Sequence, residues 1–129
     1  MSIFRRSKPA PNPLAEEPIW LIPLHVKAGA EQLPSPFTGA YVQVFCRGET
    51  ATTAAWAAIQ AIEAMGYSVP ENPTSANQCR AADYEAVVAA NWPGLKGELP
   101  SQAEFYERIA DHRVVLGPFG AYETPADGS

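Results

Sequence analysis

Residues 40–47 read Ala-Tyr-Val-Gln-Val-Phe-Cys-Arg, and no other stretch narrows the possible folds as much. Strict alternation puts Val42, Val44 and Cys46 on one face of an extended strand, and Tyr41, Gln43, Phe45 and Arg47 on the other. Such a strand needs neighbours, so a sheet must form around it. Residues 19–27 supply a second strand, with Trp20, Ile22, Leu24 and Val26 alternating onto one face. Pro18 and Pro23 cannot donate to a ladder, which places this strand at a sheet edge. Residues 29–39 carry turn formers and two prolines, the composition of a loop.

Beyond Gly48 the period changes to that of a helix over residues 50–65, closed by Gly66 as C-terminal cap. Ile59, Ile62 and Met65 share a face with Ala55 and Ala58, while Trp56 projects to the rim near Gln60 and Glu63. A short strand is expected at 67–69, stopped by Pro70, and a polar, proline-containing loop at 70–80. Tyr84, Val87, Val88 and Trp92 predict a second helix over 81–91, ended by Pro93-Gly94. Ser101 and Glu104 stand at capping-box spacing and open a third helix, with Phe105 and Ile109 one turn apart. Residues 114–116 form the last strand, which 119–122 extends after the Gly117-Pro118 interruption.

The order is β-β-α-β-α-α-β, an α+β chain. A two-layer sandwich, with helices on one face of a four-stranded sheet, buries each apolar stripe. The strand-helix-strand unit of 40–69 suggests a right-handed crossover if its strands are parallel. The arrangement resembles a ferredoxin-like plait or a variant of it, departing from the standard plait in its leading β-β pair. The resemblance is architectural, and that architecture hosts many unrelated functions.

At 129 residues there is room for one domain. Residues 1–18, rich in proline and charge, read as a flexible leader, residues 19–123 as the folded domain, and residues 124–129 as a frayed tail. Arg5, Arg6 and Lys8 are followed by Pro9, Pro11 and Pro13, not by the apolar run of a signal peptide. No apolar run approaches the roughly 18 to 20 residues that cross a bilayer. Two cysteines give no disulfide framework, so the expected setting is cytoplasmic, with no membrane partner. The net charge is −5, and the leader's three cations make the body more acidic still, which disfavours nucleic acid as a partner.

Catalytic signatures are sparse. Gly117-Pro118-Phe119-Gly120 has no helix after it to offer an N-terminus to phosphate and reads as a turn or bulge. His25, His112, Cys46 and Cys79 lack the paired spacing of zinc ligands, so no metal and no cofactor is expected. Cys46 with His112 is conceivable as a nucleophile and base across neighbouring strands, with Asp111 and Arg47 as further polar groups. The plainer reading makes Cys46 a small buried residue and His112 a cap for the third helix. Carboxylate pairs such as Glu104 with Glu107 and Asp83 with Glu85 suit helix first turns and solvated faces.

The aromatic face of residues 41–47 is more informative. If helices cover the valine face, Tyr41, Gln43, Phe45 and Arg47 lie open, and Tyr, Phe and Arg are residue types that anchor interfaces. If the faces are reversed, or the leader covers this one, they are core; the strand pattern alone does not choose. Trp56 at the helix rim is a further candidate anchor, while Trp20 and Trp92 read as core. The expectation is a non-enzymatic protein-binding module with Tyr41, Gln43, Phe45, Arg47 and Trp56 as its contact residues. Its partner is another protein or a second copy in a homo-oligomer. A small acidic inhibitor of immunity or antitoxin type would suit the charge, because negative charge accelerates capture of a basic partner. The alternative is a small-molecule site or modest enzyme in a cleft near Cys46 and His112.

Overall fold

The computed structural model describes residues 12–123; residues 1–11 and 124–129, which hold most of the expected leader and all of the expected tail, lie outside the described residues. Two long strands form the centre, β1 (Pro18–Lys27) and β2 (Gly39–Arg47), joined antiparallel by nine consecutive residue pairs from Ile19↔Arg47 to Lys27↔Gly39. Helix α1 (Ala51–Ala64) follows, then β3 (Asn77–Arg80), a 3-10 turn Ala81–Asp83 and α2 (Tyr84–Asn91). A second 3-10 segment, Pro93–Glu98, leads to α3 (Gln102–Ala110), β4 (Val115–Leu116) and β5 (Gly120–Tyr122). The ladder runs β3-β1-β2-β4, with β5 pairing the same side of β2 further along, and every pairing is antiparallel.

The α+β class holds, but the sheet differs from expectation in three ways. It has five strands rather than four, and the ferredoxin-like order is not what the ladder gives. The stretch 67–69 contributes a single bridge, Ser68 to Lys27, while the strand proper lies at Asn77–Arg80, inside the stretch expected to be loop. Only one of its residues, Cys79, is even half-buried, so no apolar alternation announced it. The unit 40–69 is therefore not a parallel crossover.

Helices also lie on both faces of the sheet rather than one. On the valine face, Ala54, Ala58 and Ile62 of α1 pack on Val42, Val44 and Cys46 of β2 and on Ile22, Leu24 and Val26 of β1. On the opposite face, Tyr84 and Val88 of α2 and Phe105 and Ile109 of α3 pack on Phe45, Ile19, Leu21 and Val115. Phe45 is the centre of this second core. Its ring meets Tyr84 at 5.1 Å and Phe105 at 5.8 Å edge to face, and Tyr84 stacks on Phe105 at 4.1 Å. The Tyr84 hydroxyl donates to the Pro100 carbonyl at 2.8 Å, which satisfies the one polar atom this ring buries. Within α1, Ala58 and Ile62 of the expected face are buried together with Ala54; Ala55 and Ile59 are half-buried, and Met65 at its end is exposed.

Pro23 sits in a strand with neighbours on both sides, not at an edge. Lys27 exchanges backbone hydrogen bonds with Ser68, so by alternation the amide position of residue 23 points the same way. β3 pairs only with residues 18–21, and opposite Pro23 the chain bulges away as residues 69–76. The missing donor thus falls in a gap of the ladder, where it costs no bond.

The helix ends follow their sequence signals. Thr50 accepts from the Thr53 amide to start α1, and Gly66, at φ 97°, follows its C-cap in a conformation that favours glycine. Ser101 and Glu104 form the expected capping box of α3. At the other end of α3, the amides of His112 and Arg113 bond back to the carbonyls of Ile109 and Arg108, and His112 takes φ 57° where glycine is usual. His112 does close the third helix, though through its backbone. Residues 12–17 form a turn against the 3-10 segment after β3, with the Ala82 amide bonded to the Ala15 carbonyl and Arg80 paired to Glu16 and Asp83.

Two outcomes are expected. Phe45→Ala should destabilise the domain by about 3–5 kcal/mol in urea titrations, the range for a fully enclosed aromatic, whereas a ring on an open face would cost little. The Ser101 amide holds the Glu104 carboxyl below its ordinary range, and the Arg80 side chain does the same for Asp83. Both carboxyls therefore contribute stability above their unfolded-state pKa, and it is lost as pH falls through their lowered folded values. Melting temperature should drop across that acid range, and Glu104→Gln with Asp83→Asn should flatten the drop.

Candidate functional site

The aromatic face of β2 is closed at one end and open at the other. Helices α2 and α3 cover Phe45, which has no exposed surface, but they stop short of Tyr41, which is 58% exposed. Between them lies Gln43. These three residues share one strand face, so the site is the place where the second core runs out.

Tyr41 is held, not loose. The β1–β2 register puts His25 directly opposite it, and the two rings stack at 4.7 Å with 17° between their planes. Tyr122, on β5, lies 5.6 Å from Tyr41 and reaches across Gly39 so that its hydroxyl bonds His25 Nε2. A Cβ on Gly39 would meet the Tyr122 ring, so only glycine leaves room for that crossing. His25 Nδ1 is bonded in turn to Glu71 Oε1 at 2.7 Å, from the loop that bulges away from β1. With Nδ1–H donating to the carboxylate, Nε2 accepts the phenol proton, and both ring nitrogens are satisfied.

Carboxylate, imidazole and hydroxyl in a row resemble the parts of an acid–base relay. Here the row ends in the phenol of Tyr122, and neither His25 nor Tyr122 lines the neighbouring groove. The arrangement acts as a clamp joining β1, β5 and the loop after Pro70, and it fixes the ring of Tyr41 in place.

That groove, about 390 Å³, runs from Tyr41 to the end of α2. Trp92 and Leu95 form one wall, Pro118 and Phe119 the other, and Gln43 lies between them beside Pro23. Phe119 is carried there by a β-bulge. Gly117 pairs with Gln43 and Gly120 with Tyr41, so Pro118 and Phe119 together stand opposite Val42 alone. The Oε1 atom of Gln43 is buried and, among the described residues, has no hydrogen-bond partner. A buried carbonyl left unpaired costs about 1–3 kcal/mol, and a ligand with a suitable donor would recover that.

The remaining expected contact residues are placed elsewhere. Arg47 donates to Glu17 Oε2 at 2.8 Å and to the Ile109 carbonyl at 3.0 Å, tying the turn before β1 to the end of α3. Phe45 is enclosed, and Arg47 is partly exposed with its guanidinium engaged in these bonds. Trp56 is 63% exposed but projects from α1, across the sheet from Tyr41, beside Ile59, Asn72 and Pro73.

Cys46 and His112 do not share a cleft. Cys46 faces α1 with its thiol enclosed, and burial pushes its pKa up to about 11. His112 is exposed and lines a separate cleft between α1 and α3 that does not include Cys46. Burial, with Asp83 adding to it, likewise pushes the Cys79 thiol up to about 11. Among the described residues no group of His, Cys, Asp and Glu is arranged to hold a metal ion, and no helix is long and apolar enough to cross a membrane.

Sequence reasoning missed His25, Glu71, Phe119 and Tyr122. Alternation along 19–27 does set His25 opposite the Trp20 face, and pairing that strand to 40–47 would have brought it to Tyr41. Comparison with protein families, with curated proteins and with solved structures finds no match to this chain. The site therefore rests on its own geometry.

A maleimide probe at pH 7.5 should leave both thiols unmodified in the folded domain and react with both once urea unfolds it. Rapid labelling of Cys46 in the folded protein would show a thiolate that this environment does not provide.

Proposed function

We propose that this chain is a non-enzymatic protein-binding module whose partner inserts a side chain into the groove between Tyr41 and Trp92. The observation that carries the reading is the buried, unpartnered Oε1 of Gln43 between exposed aromatic rims. A partner group that is apolar in body and carries one N–H or O–H donor answers both features, as Trp and Tyr side chains do. The clamp from His25 and Tyr122 supports this role, because a ring already held in place loses little entropy when a partner covers it. Tyr41 and Phe119 would be the anchors and Gln43 the specificity contact.

The partner is best sought among basic proteins. With a net charge of −5 the chain steers cationic surfaces toward itself and repels phosphate backbones. An inhibitor of the immunity or antitoxin kind would use charge this way, as would an accessory subunit. A cytoplasmic setting, and a partner that is a second copy of the chain, remain part of the same proposal.

Affinity capture on the full chain, with mass spectrometry, tests it. One stoichiometric partner should be retained by the native protein and by Trp56→Ala, and lost from Tyr41→Ala and Gln43→Leu. Both losses should be about 2 kcal/mol or more in binding free energy when measured by calorimetry. A partner retained by all four proteins would place the interface elsewhere and end this reading.

A further inference from the structure

A second concavity, of about 1120 Å³, lies away from the groove along the outer edge of β4. One wall is the α1 stripe Ala57, Ala61 and Met65, and the other is α3 at Glu104 and Arg108. Val114 and Leu116 line it as well, from the sheet edge between the walls.

The backbone of that edge is unoccupied among the described residues. The Gly117 amide bonds to the Gln43 carbonyl, so by alternation residue 115 points its amide and carbonyl toward β2, while residue 116 points them outward. Val114 has the same parity as Leu116. Neither residue has a backbone partner on the outer side among the described residues. An open edge of this kind normally recruits another strand unless it is blunted. Here Pro118 and the bulge blunt it beyond Gly117, but nothing blunts it between the two helices.

We propose that the slot beside β4 accepts an extended segment of a partner protein by strand addition, and that the segment carries a carboxylate at the α3 end. Main-chain pairing to Leu116 and Val114 supplies the affinity, and the walls read alternate side chains. The α1 wall is mostly apolar, with Ala57, Ala61 and Met65 beside Gln60, so side chains pointing that way should be aliphatic. On the opposite wall the guanidinium of Arg108 makes no ion pair among the described residues, and Arg113 has only a loose one to Asp111 at 3.7 Å. Glu98 and Glu104 also line the slot, and Glu104 is already engaged by the Ser101 amide at 2.8 Å. A carboxylate on the segment would give the Arg108 guanidinium the ion pair it lacks among the described residues. A second whole copy fits less well, because helices flank the edge on both faces and those of the two copies would collide before the strands met.

The test uses the full chain and a phage-displayed library of short random peptides, with enriched peptides measured by fluorescence anisotropy. Peptides alternating aliphatic residues with a flanking Asp or Glu should be enriched. Each should weaken about tenfold or more against Leu116→Pro, which removes the outward amide, and against Ala61→Trp, which fills the slot from its α1 wall and keeps the test valid if the proline disturbs β4. Arg108→Gln should weaken acidic peptides but not their Asn or Gln counterparts. On peptide addition the Leu116 amide should become protected from hydrogen exchange. Peptides indifferent to both slot variants would overturn the proposal. So would a Leu116 amide already protected in the free chain, which would mean that the chain fills its own edge. Self-association that Ala61→Trp abolishes, with no peptide competing, would assign the slot to a second copy instead. Because Tyr41→Ala leaves this slot intact, failure here and failure of the groove are read separately.

Discussion

Nine residue pairs between β1 and β2 set the positions of everything else in this protein. In an antiparallel ladder a slip of one residue turns every side chain to the other face. In the observed register Phe45 lies across from Leu21 and Val44 from Ile22, so each face receives apolar residues from both strands at once. A strand with a single apolar face would call for helices on that face alone. β2 has two, and the chain covers them with separate helices. Helix α1 closes the valine face with small residues at close approach, and α2 with α3 closes the Phe45 face with large rings.

The same register makes the end of the sheet the candidate site. From Gln43 toward the start of β2 the second core has no more helix to cover it, and Tyr41 on that face stands exposed. The residue pairs there are Pro23 with Gln43 and His25 with Tyr41. An uncovered aromatic would ordinarily be a liability for solubility, and contiguous apolar patches on a monomer usually mark a contact. The protein spends a glycine, a histidine and a tyrosine on holding Tyr41 upright. That expense has no purpose in the core, which ends before it.

Much of this was legible in the amino acids, and the failures have physical reasons. The strands at 19–27 and 40–47, the three helices, the Gly66 cap and the Ser101/Glu104 box are local signals, and each formed where the residues called for it. The two-sided burial of β2 was not legible, because alternation identifies faces without saying which is covered. β3 was invisible for a related reason: Asn77, Gln78 and Arg80 are exposed, and the strand exists only because β1 offers an edge. Of the expected contact residues, Tyr41, Gln43 and Trp56 reach the surface and Phe45 does not. What separates Tyr41 from Phe45 is the length of α2 and α3, a tertiary property that no pattern within residues 40–47 can encode.

The groove and the slot lie on the two sides of one irregularity. Along the outer side of β2 the chain makes β4, then the bulge at Pro118 and Phe119, then β5. Before the bulge, the edge turns outward, between α1 and α3, backbone groups that have no partner among the described residues. At the bulge, the extra residue carries Phe119 to the rim of the Gln43 groove. A regular strand from Val115 to Tyr122 would shift the register beyond Gly117 by one residue. It would carry Tyr122 off the position opposite Gly39, release its hydroxyl from His25 and leave Tyr41 unsupported. The bulge is therefore what lets one short edge segment present both outward-facing backbone and one rim of the Gln43 groove. Its position, between Gly117 and Gly120, follows from the glycines that flank it and the proline that cannot pair.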